Sequence, residues 1–233
     1  MISRPLSDAE KVFLGEIPLF AALGKDRLAH LVASCRVETV KRGSHLFRAA
    51  DRAEYFYVLL SGQLRLVRTS SQGAETVMHF LTAPGAFAEA VTLAGRPYPV
   101  DCEVMADGAV VAIPRAAYLK ILQEFPEVAG EVMAGLLEWE RFFLDEIYRL
   151  RHTSPLQRIA AFLIDYQDHA IAHEQDETAR DYPEKRLIAS RIGITPETFS
   201  RLLRRLEQMN AIETGATLRI RDRAVLEELA RFS

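Results

Sequence analysis

The sequence predicts an α+β protein. It has an N-terminal antiparallel β-barrel of the jelly-roll type, a long helix, and a C-terminal pair of short helices with a β-hairpin wing. Three observations carry that prediction. Short β-rich runs separated by turn residues recur from Val37 to about Pro114. Apolar residues at alternating steps of three and four run from Glu127 to about Arg151. Thr195-Pro196-Glu197 then has the chemistry that opens a helix. The expected divisions are 1–125 for the barrel, 126–152 for the long helix and hinge, and 153–233 for the C-terminal domain.

Composition narrows the class. The chain has 233 residues, 49% hydrophobic and 26% charged, as in an ordinary globular protein of one large or two small domains. No apolar run approaches the length of about 18 residues that a membrane span needs. Met1 to Glu10 contains Arg4, Asp8 and Glu10 and no apolar signal stretch, so a cytoplasmic protein is expected. The two cysteines, Cys35 and Cys102, cannot supply four ligands to an iron–sulfur cluster or to an all-cysteine zinc site.

The elements follow in order. Ser7 to Cys35 reads as helical, interrupted at Pro18 and Gly24. Tyr55 to Leu60 is a β-run closed by Ser61-Gly62. Alternating Leu64, Arg65, Leu66 and Arg68 lead to Ser70-Ser71-Gln72-Gly73. Thr76 to Leu81 precedes Pro84-Gly85, and Val110 to Ile113 ends at Pro114. Helix returns at Ala116 to Phe125. In the long helix, Val132, Leu136, Trp139, Phe143 and Leu150 lie on one seam. Met133, Leu137, Leu144 and Tyr148 lie on a neighbouring face. Two apolar stripes over about 36 Å of helix predict that one packs on the barrel and the other on a second copy of the chain. His152-Thr153-Ser154-Pro155 reads as a hinge, Leu156 to Ile164 as a helix, and His169 to Asp181 as a polar loop.

The C-terminal domain points to nucleic acid. Net charge is −3, yet Lys185 to Arg205 holds six bases and one acid, a local +5. A first helix is expected from about Glu184 to Arg191, a turn at Gly193, and a second helix from Pro196 to about Met209. Phe199, Leu202, Leu203 and Leu206 share its apolar face. Glu197, Ser200, Arg201 and Arg204 share the other. Arginine can bind guanine O6 and N7 together, glutamate accepts from cytosine N4, and serine adapts, so this face suits a major groove. Thr198 lies in the same first turn. Lys185, Arg186, Arg191 and Arg205 are candidates for phosphate contacts. Ala211 to Thr214 and Leu218 to Ile220 flank Gly215 as a wing, where Arg219 and Arg221 could touch the DNA backbone.

Read together, these segments resemble the cyclic-AMP receptor and fumarate–nitrate reductase regulator (Crp/Fnr) family over nearly the whole chain. The motifs are Lys41-Arg42-Gly43-Ser44-His45-Leu46-Phe47, Phe56 to Gly62, Pro84-Gly85-Ala86-Phe87-Ala88-Glu89, and Thr195 to Arg201. The resemblance implies a homodimeric transcription regulator, an activator, with duplex DNA and RNA polymerase as partners. It also implies a barrel effector pocket at Phe87, Ala88, Glu89, Pro99 and Val100. Cyclic-nucleotide binders of the family have glycine-glutamate in this loop and arginine-serine about ten residues later. Here Ala88 stands for the glycine, and Pro99 and Val100 replace the arginine pair, with Arg96 out of register. A buried cyclic phosphate without a cation is costly, so cyclic AMP is not expected as effector.

The branch most resembled is the regulators of dissimilatory nitrate respiration and nitric-oxide response. The similar stretches are Phe87-Ala88-Glu89-Ala90, Tyr98-Pro99-Val100 and Pro196 to Arg201. That resemblance implies a nitric-oxide or redox signal and haem as a candidate cofactor. His30, His45, His79, His152, His169 and His173 are all open as ligands. It also implies a twofold TTGA(T/C)-type site, because Glu197, Ser200 and Arg201 keep the glutamate-x-x-serine-arginine pattern and Pro196 replaces an arginine of the cyclic-AMP branch. Two rivals remain at this point. A cyclic-nucleotide signalling module explains the barrel but not the +5 segment. An enzyme on a cupin-like barrel needs a ligand triad or a nucleophile with its base, and no predicted strand carries one.

Overall fold

The computed structural model describes residues 3–21, 23–172, 182–215 and 218–231. Contacts divide the chain into two compact units: Met1–Arg68 with Phe80–Phe142, and Thr69–His79 with Phe143–Ser233.

The first unit begins with β1 (Ser3–Arg4), α1 (Asp8–Glu16), α2 (Pro18–Ala21) and α3 (Gly24–Val32). Ser7 caps α1 through a reciprocal box with Glu10: the Glu10 amide donates to Ser7 Oγ and the Ser7 amide donates back to the Glu10 carboxylate. Arg4 reinforces it, and the Arg4 guanidinium holds the Glu10 carboxyl down at about 2. The breaks at Pro18 and Gly24 fall where the sequence places them.

The strands are β2 (Arg36–Val40), β3 (His45–Phe47), β4 (Tyr55–Thr69), β5 (Glu75–Thr82), β6 (Gly85–Phe87) and β7 (Asp101–Pro114), with α4 (Glu89–Leu93) between the last two. They form one seven-stranded sheet in the order β1-β2-β7-β4-β5, with β3 also on β7 and β6 on β4. Its spine is the antiparallel pair β4 and β7, in register from Tyr55 opposite Pro114 to Val67 opposite Asp101. Side chains of this pair alternate between two cores. Phe56, Val58, Val111 and Ile113 face α1 to α3 and α5 (Arg115–Glu124). Tyr57, Leu59, Val110 and Ala112 face the barrel interior. Burial on both faces explains why Tyr55–Leu60 and Val110–Ile113 read as unbroken apolar runs rather than alternating ones.

Two features differ from the sequence expectation. Ser61-Gly62 does not end a strand; β4 continues through it, with register shifts between Leu59 and Leu64. Gly62 takes φ 88°, and a Cβ on the facing Gly108 would lie 2.0 Å from the Ser61 carbonyl oxygen. The glycines there permit close backbone approach and a bend, a role that resembles a turn in sequence. Second, Glu89–Leu93 is a short helix that the sequence reading did not separate from the preceding loop.

The long helix α6 spans Val128–His152. Its residues to Phe142 fall in the first unit and those from Phe143 in the second, which also holds α7 (Pro155–Ala172), α8 (Lys185–Arg191), α9 (Pro196–Gln208), β8 (Ile212–Thr214), β9 (Leu218–Ile220) and α10 (Arg223–Ala230). The expected loop at His169 to Asp181 is corrected in part: His169–Ala172 continue α7, and 173–181 lie outside the described residues. Leu163, Ile188, Phe199, Leu203, Leu206 and Leu226 form one core. Arg158 ties α7 to it, donating to the Ile192 carbonyl at 3.1 Å and the Thr153 carbonyl at 2.6 Å.

Gly108→Ala should cost about 3 kcal/mol or more, because backbone on the facing strand leaves no room for a methyl group. Urea unfolding of the variant beside the parent checks this. An unchanged midpoint would show that the β4–β7 crossing relaxes easily.

Candidate nucleic-acid interface and barrel pocket

The second unit builds its exposed face from local signals. The Ile194 amide donates to the Ala189 carbonyl at 3.0 Å, and Gly193 turns the chain with φ 71°. Thr195 then caps α9, its hydroxyl accepting from the Thr198 amide at 3.2 Å, and Pro196 takes the first helical position. Glu197 sits in the first turn, and the backbone amide and the Thr195 hydroxyl there hold its carboxyl below the usual range.

Phe199, Leu203 and Leu206 anchor the inner face, and Leu202 is half-buried beside them. Glu197, Ser200, Arg201 and Arg204 are all exposed. At helical spacing these four fall within about 100° of the circumference. Arg201 and Arg204 have no ion pair or side-chain hydrogen bond among the described residues. Thr198 is half-buried with its amide spent on the cap. Lys185, Arg186 and Arg205 are exposed on the same helix pair, whereas Arg191 is half-buried and engaged.

The wing is short. Ile212 pairs with Ile220 and Thr214 with Leu218. Glu207 on α9 holds it, accepting from the Thr214 amide at 3.0 Å and from its hydroxyl. Arg219 is exposed. Arg221, expected at the DNA backbone, is instead paired with Glu213 at 3.1 Å.

In the first unit the predicted pocket residues do not share one environment. Phe87 is 1% exposed and belongs to the barrel core, Glu89 is buried at the start of α4, Val100 is half-buried and Pro99 is exposed. Ala88 between them takes φ 64°, a left-handed conformation that favours glycine. Sequence reasoning missed an aromatic stack in the interior. Phe47 and Tyr98 stack with centroids 3.8 Å apart, Tyr57 lies 5.9 Å from Phe47, and Phe87 lies 5.5 Å from Tyr57. The Tyr98 hydroxyl donates to the Tyr55 carbonyl at 2.5 Å, and burial pushes both the Tyr57 and the Tyr98 phenol up. The signal was present as alternation: Phe47 and Tyr57 lie on inward positions of β3 and β4. Arg96, the out-of-register cation, is exposed.

The histidines are dispersed. His30 is exposed with its ring on the Asp26 carbonyl, and His45 lies 3.2 Å from Glu103, which also holds Arg65 at 2.5 Å. His152 stacks on Tyr148. His79 is half-buried on β5, on the same side as Val77 and Leu81. The side chain of His169 and all of His173 lie outside what is described. The cysteines are buried, and desolvation pushes the Cys35 thiol up to about 12 and the Cys102 thiol further. A haem needs an axial donor over an apolar cleft. Among the described residues no histidine lines the large cavity of this unit.

Comparison with known proteins places both halves. Residues 37–125 match the cyclic nucleotide-binding domain and residues 157–229 match the Crp-like helix-turn-helix domain. The chain belongs to the Crp/Fnr family. The cyclic AMP receptor protein of Thermus thermophilus is 24% identical over 91% of this regulator and 96% of its own length. The fumarate and nitrate reduction regulatory protein of Vibrio cholerae is 25% identical, covering 85% of this chain and 80% of its own. The structure of FixK2 from Bradyrhizobium japonicum shares the fold, with TM-score 0.72 and 21% identity over 85% of this chain and 98% of that one. This Crp/Fnr-type chain is therefore a DNA-binding transcription regulator with the family's barrel and helix-turn-helix. Its relatives are regulators rather than enzymes, and no described helix is long and apolar enough to cross a membrane.

Ala88→Gly should stabilise the regulator by about 0.5–1 kcal/mol: relief of the left-handed alanine exceeds the entropy that glycine adds to the unfolded chain. The urea midpoint measures it. A lower midpoint would mean that the Ala88 methyl group contributes packing worth more than the strain.

Proposed function

We propose that this regulator binds DNA as a dimer, with α9 in the major groove of each half of a twofold TTGA(T/C)-type site, and that a signal received by the barrel sets its affinity. The observation that carries the reading is the exposed polar face of α9, on which Arg201 and Arg204 make no ion pair or side-chain hydrogen bond among the described residues. Exposed arginines without partners are what base edges and phosphates require. In this assignment Arg201 and Glu197 read bases, Ser200 adapts between them, and Arg204, Arg205, Lys185 and Arg186 supply affinity without sequence information. Thr198 keeps the cap in place, and Arg191 contributes as part of the supporting shell.

Dimerisation is supported by α6. Met133, Leu137, Leu144, Ile147, Tyr148 and Leu150 are about half exposed or more along this single helix, at 48–64%. A contiguous apolar face of that kind marks an interface. The seam residues Val132, Leu136, Trp139 and Phe143 have side chains outside those described, and we assign them to the same helix interface from their spacing. Half-sites about one helical turn apart would then place the two recognition helices in successive grooves. RNA polymerase is the remaining partner we infer, as for an activator.

The targets we infer are genes of anaerobic or nitrogen-oxide metabolism, with nitric oxide or redox state as the signal. The supports are the similarity to a fumarate and nitrate reduction regulatory protein and the Phe87–Ala90 and Tyr98–Val100 stretches. Haem stays a candidate cofactor implied by the resemblance alone, and no step is routed through it. A cyclic nucleotide is disfavoured by two features: Pro99 and Val100 offer no cation, and Tyr98 and Phe47 fill the adjoining interior.

Selection from random duplexes should return an inverted repeat of TTGA(T/C), and unrelated sequences would sink the assignment. Arg201→Ala should weaken binding to that site by about 1–3 kcal/mol and relax one position, whereas Arg186→Ala should weaken all duplexes alike and lower the salt slope by about one. Leu137→Glu should shift sedimentation toward the monomer; a dimer of unchanged affinity would refute the proposed interface.

A further inference from the structure

A cavity of about 700 Å³ lies in the N-terminal helical layer of the first unit, among residues 5–36 and apart from the barrel interior. That volume is in the range of small-molecule sites. Its wall is apolar: Leu6, Phe20, Leu28 and Val32 contribute, with Val12 on α1 66% exposed beside them. Cations also line it. Lys25 and Arg36 are exposed and have no ion pair or side-chain hydrogen bond among the described residues. Lys11 is spent on Asp8 at 2.7 Å, and Glu16 is the one acid in the lining.

The two kinds of surface select a ligand together. An inorganic anion would gain nothing from the apolar wall and would lose hydration there. A neutral hydrocarbon would leave the two cations unused. A molecule with an apolar body and a single anionic head satisfies both, since the body removes apolar surface from water while the head stays at the wet rim beside Lys25 and Arg36. We propose that this cavity binds an amphiphilic monoanion, an acyl carboxylate of medium chain length, as a ligand distinct from the signal of the barrel.

The probe is decanoate, titrated into the full-length chain without DNA by isothermal calorimetry, so the result does not depend on the DNA-binding assignment. Saturable one-to-one binding is expected, with octanoate about fifteenfold weaker, from about fourfold per methylene buried. Decyltrimethylammonium, with the same chain and the opposite charge, should not bind. Lys25→Gln combined with Arg36→Gln should weaken decanoate about tenfold. Ala29→Phe, which fills the cavity from an exposed position on α3, should abolish binding, with circular dichroism confirming the fold. If that variant fails to fold, the glutamine pair decides alone, since both side chains are exposed. Lack of saturation would overturn the proposal and leave the groove to a peptide or a second copy of the chain. Equal binding of the cationic amphiphile, or undiminished binding in the glutamine pair, would overturn it as well.

Discussion

The first unit depends on one backbone constraint, the close approach of β4 and β7 at Gly62 and Gly108. The strands could not pair so closely there with a Cβ on Gly108, which would lie 2.0 Å from the Ser61 oxygen. Because the pairing continues through its register shifts, two strands of 15 and 14 residues form a single ribbon instead of four short strands. Everything else in the unit packs against that ribbon. Its outer face carries the core shared with α1, α2, α3 and α5, and its inner face carries the aromatic interior. A sheet with only one buried face could have ended at Ser61 without loss.

The same ribbon explains the condition of the barrel interior. Residues with inward parity on β4 and on the neighbouring β3 and β6 are Tyr57, Phe47 and Phe87, all large rings. Together with Tyr98 they fill the space by stacking, and the Tyr98 hydroxyl is satisfied by the Tyr55 carbonyl. A ligand entering here must displace a packed ring and break a buried hydrogen bond. On the proposed reading, a signal at the barrel interior would have to repack these rings, and its effect would be bounded by its differential affinity for the two packings. Ala88 holds a left-handed conformation beside Phe87 and Glu89, with φ 64°.

Legibility in the sequence followed the range of the interactions. The recognition helix was readable from its first residue to within one of its last because cap, proline, dipole charge and apolar face are all encoded within thirteen positions. The breaks in the N-terminal helices were readable from Pro18 and Gly24 for the same reason. What failed depended on distant partners. Ser61-Gly62 carries turn chemistry, and only Gly108, 46 positions later, shows that it is a bend in a continuous strand. Arg221 has the spacing of a DNA-contacting wing residue, yet Glu213 across the hairpin claims it. His169 sits in a polar stretch, but α7 runs on through it to Ala172. The aromatic stack was visible only as inward parity, and the helical cavity left no periodic trace.

Charge ties the recognition face to the rest of the molecule. The whole chain is at −3, and Lys185–Arg205 alone holds +5, so the remaining residues hold −8. Within about 8–10 Å, the screening distance at cellular salt, a phosphate feels the local excess of the two helices. Acidic residues oppose that attraction where they are near, and charges farther away are screened. Non-specific adhesion, which scales with the number of phosphates neutralised, is therefore kept small. In the proposed complex, discrimination comes from the few exposed side chains of α9, whose inner face is locked by Phe199, Leu203 and Leu206 and whose first turn is held by Thr195. A more basic surface would raise affinity for every duplex alike and dilute the contribution of Glu197, Ser200 and Arg201. The selectivity proposed for α9 thus rests on the few exposed side chains of one helix face rather than on the net charge of the chain.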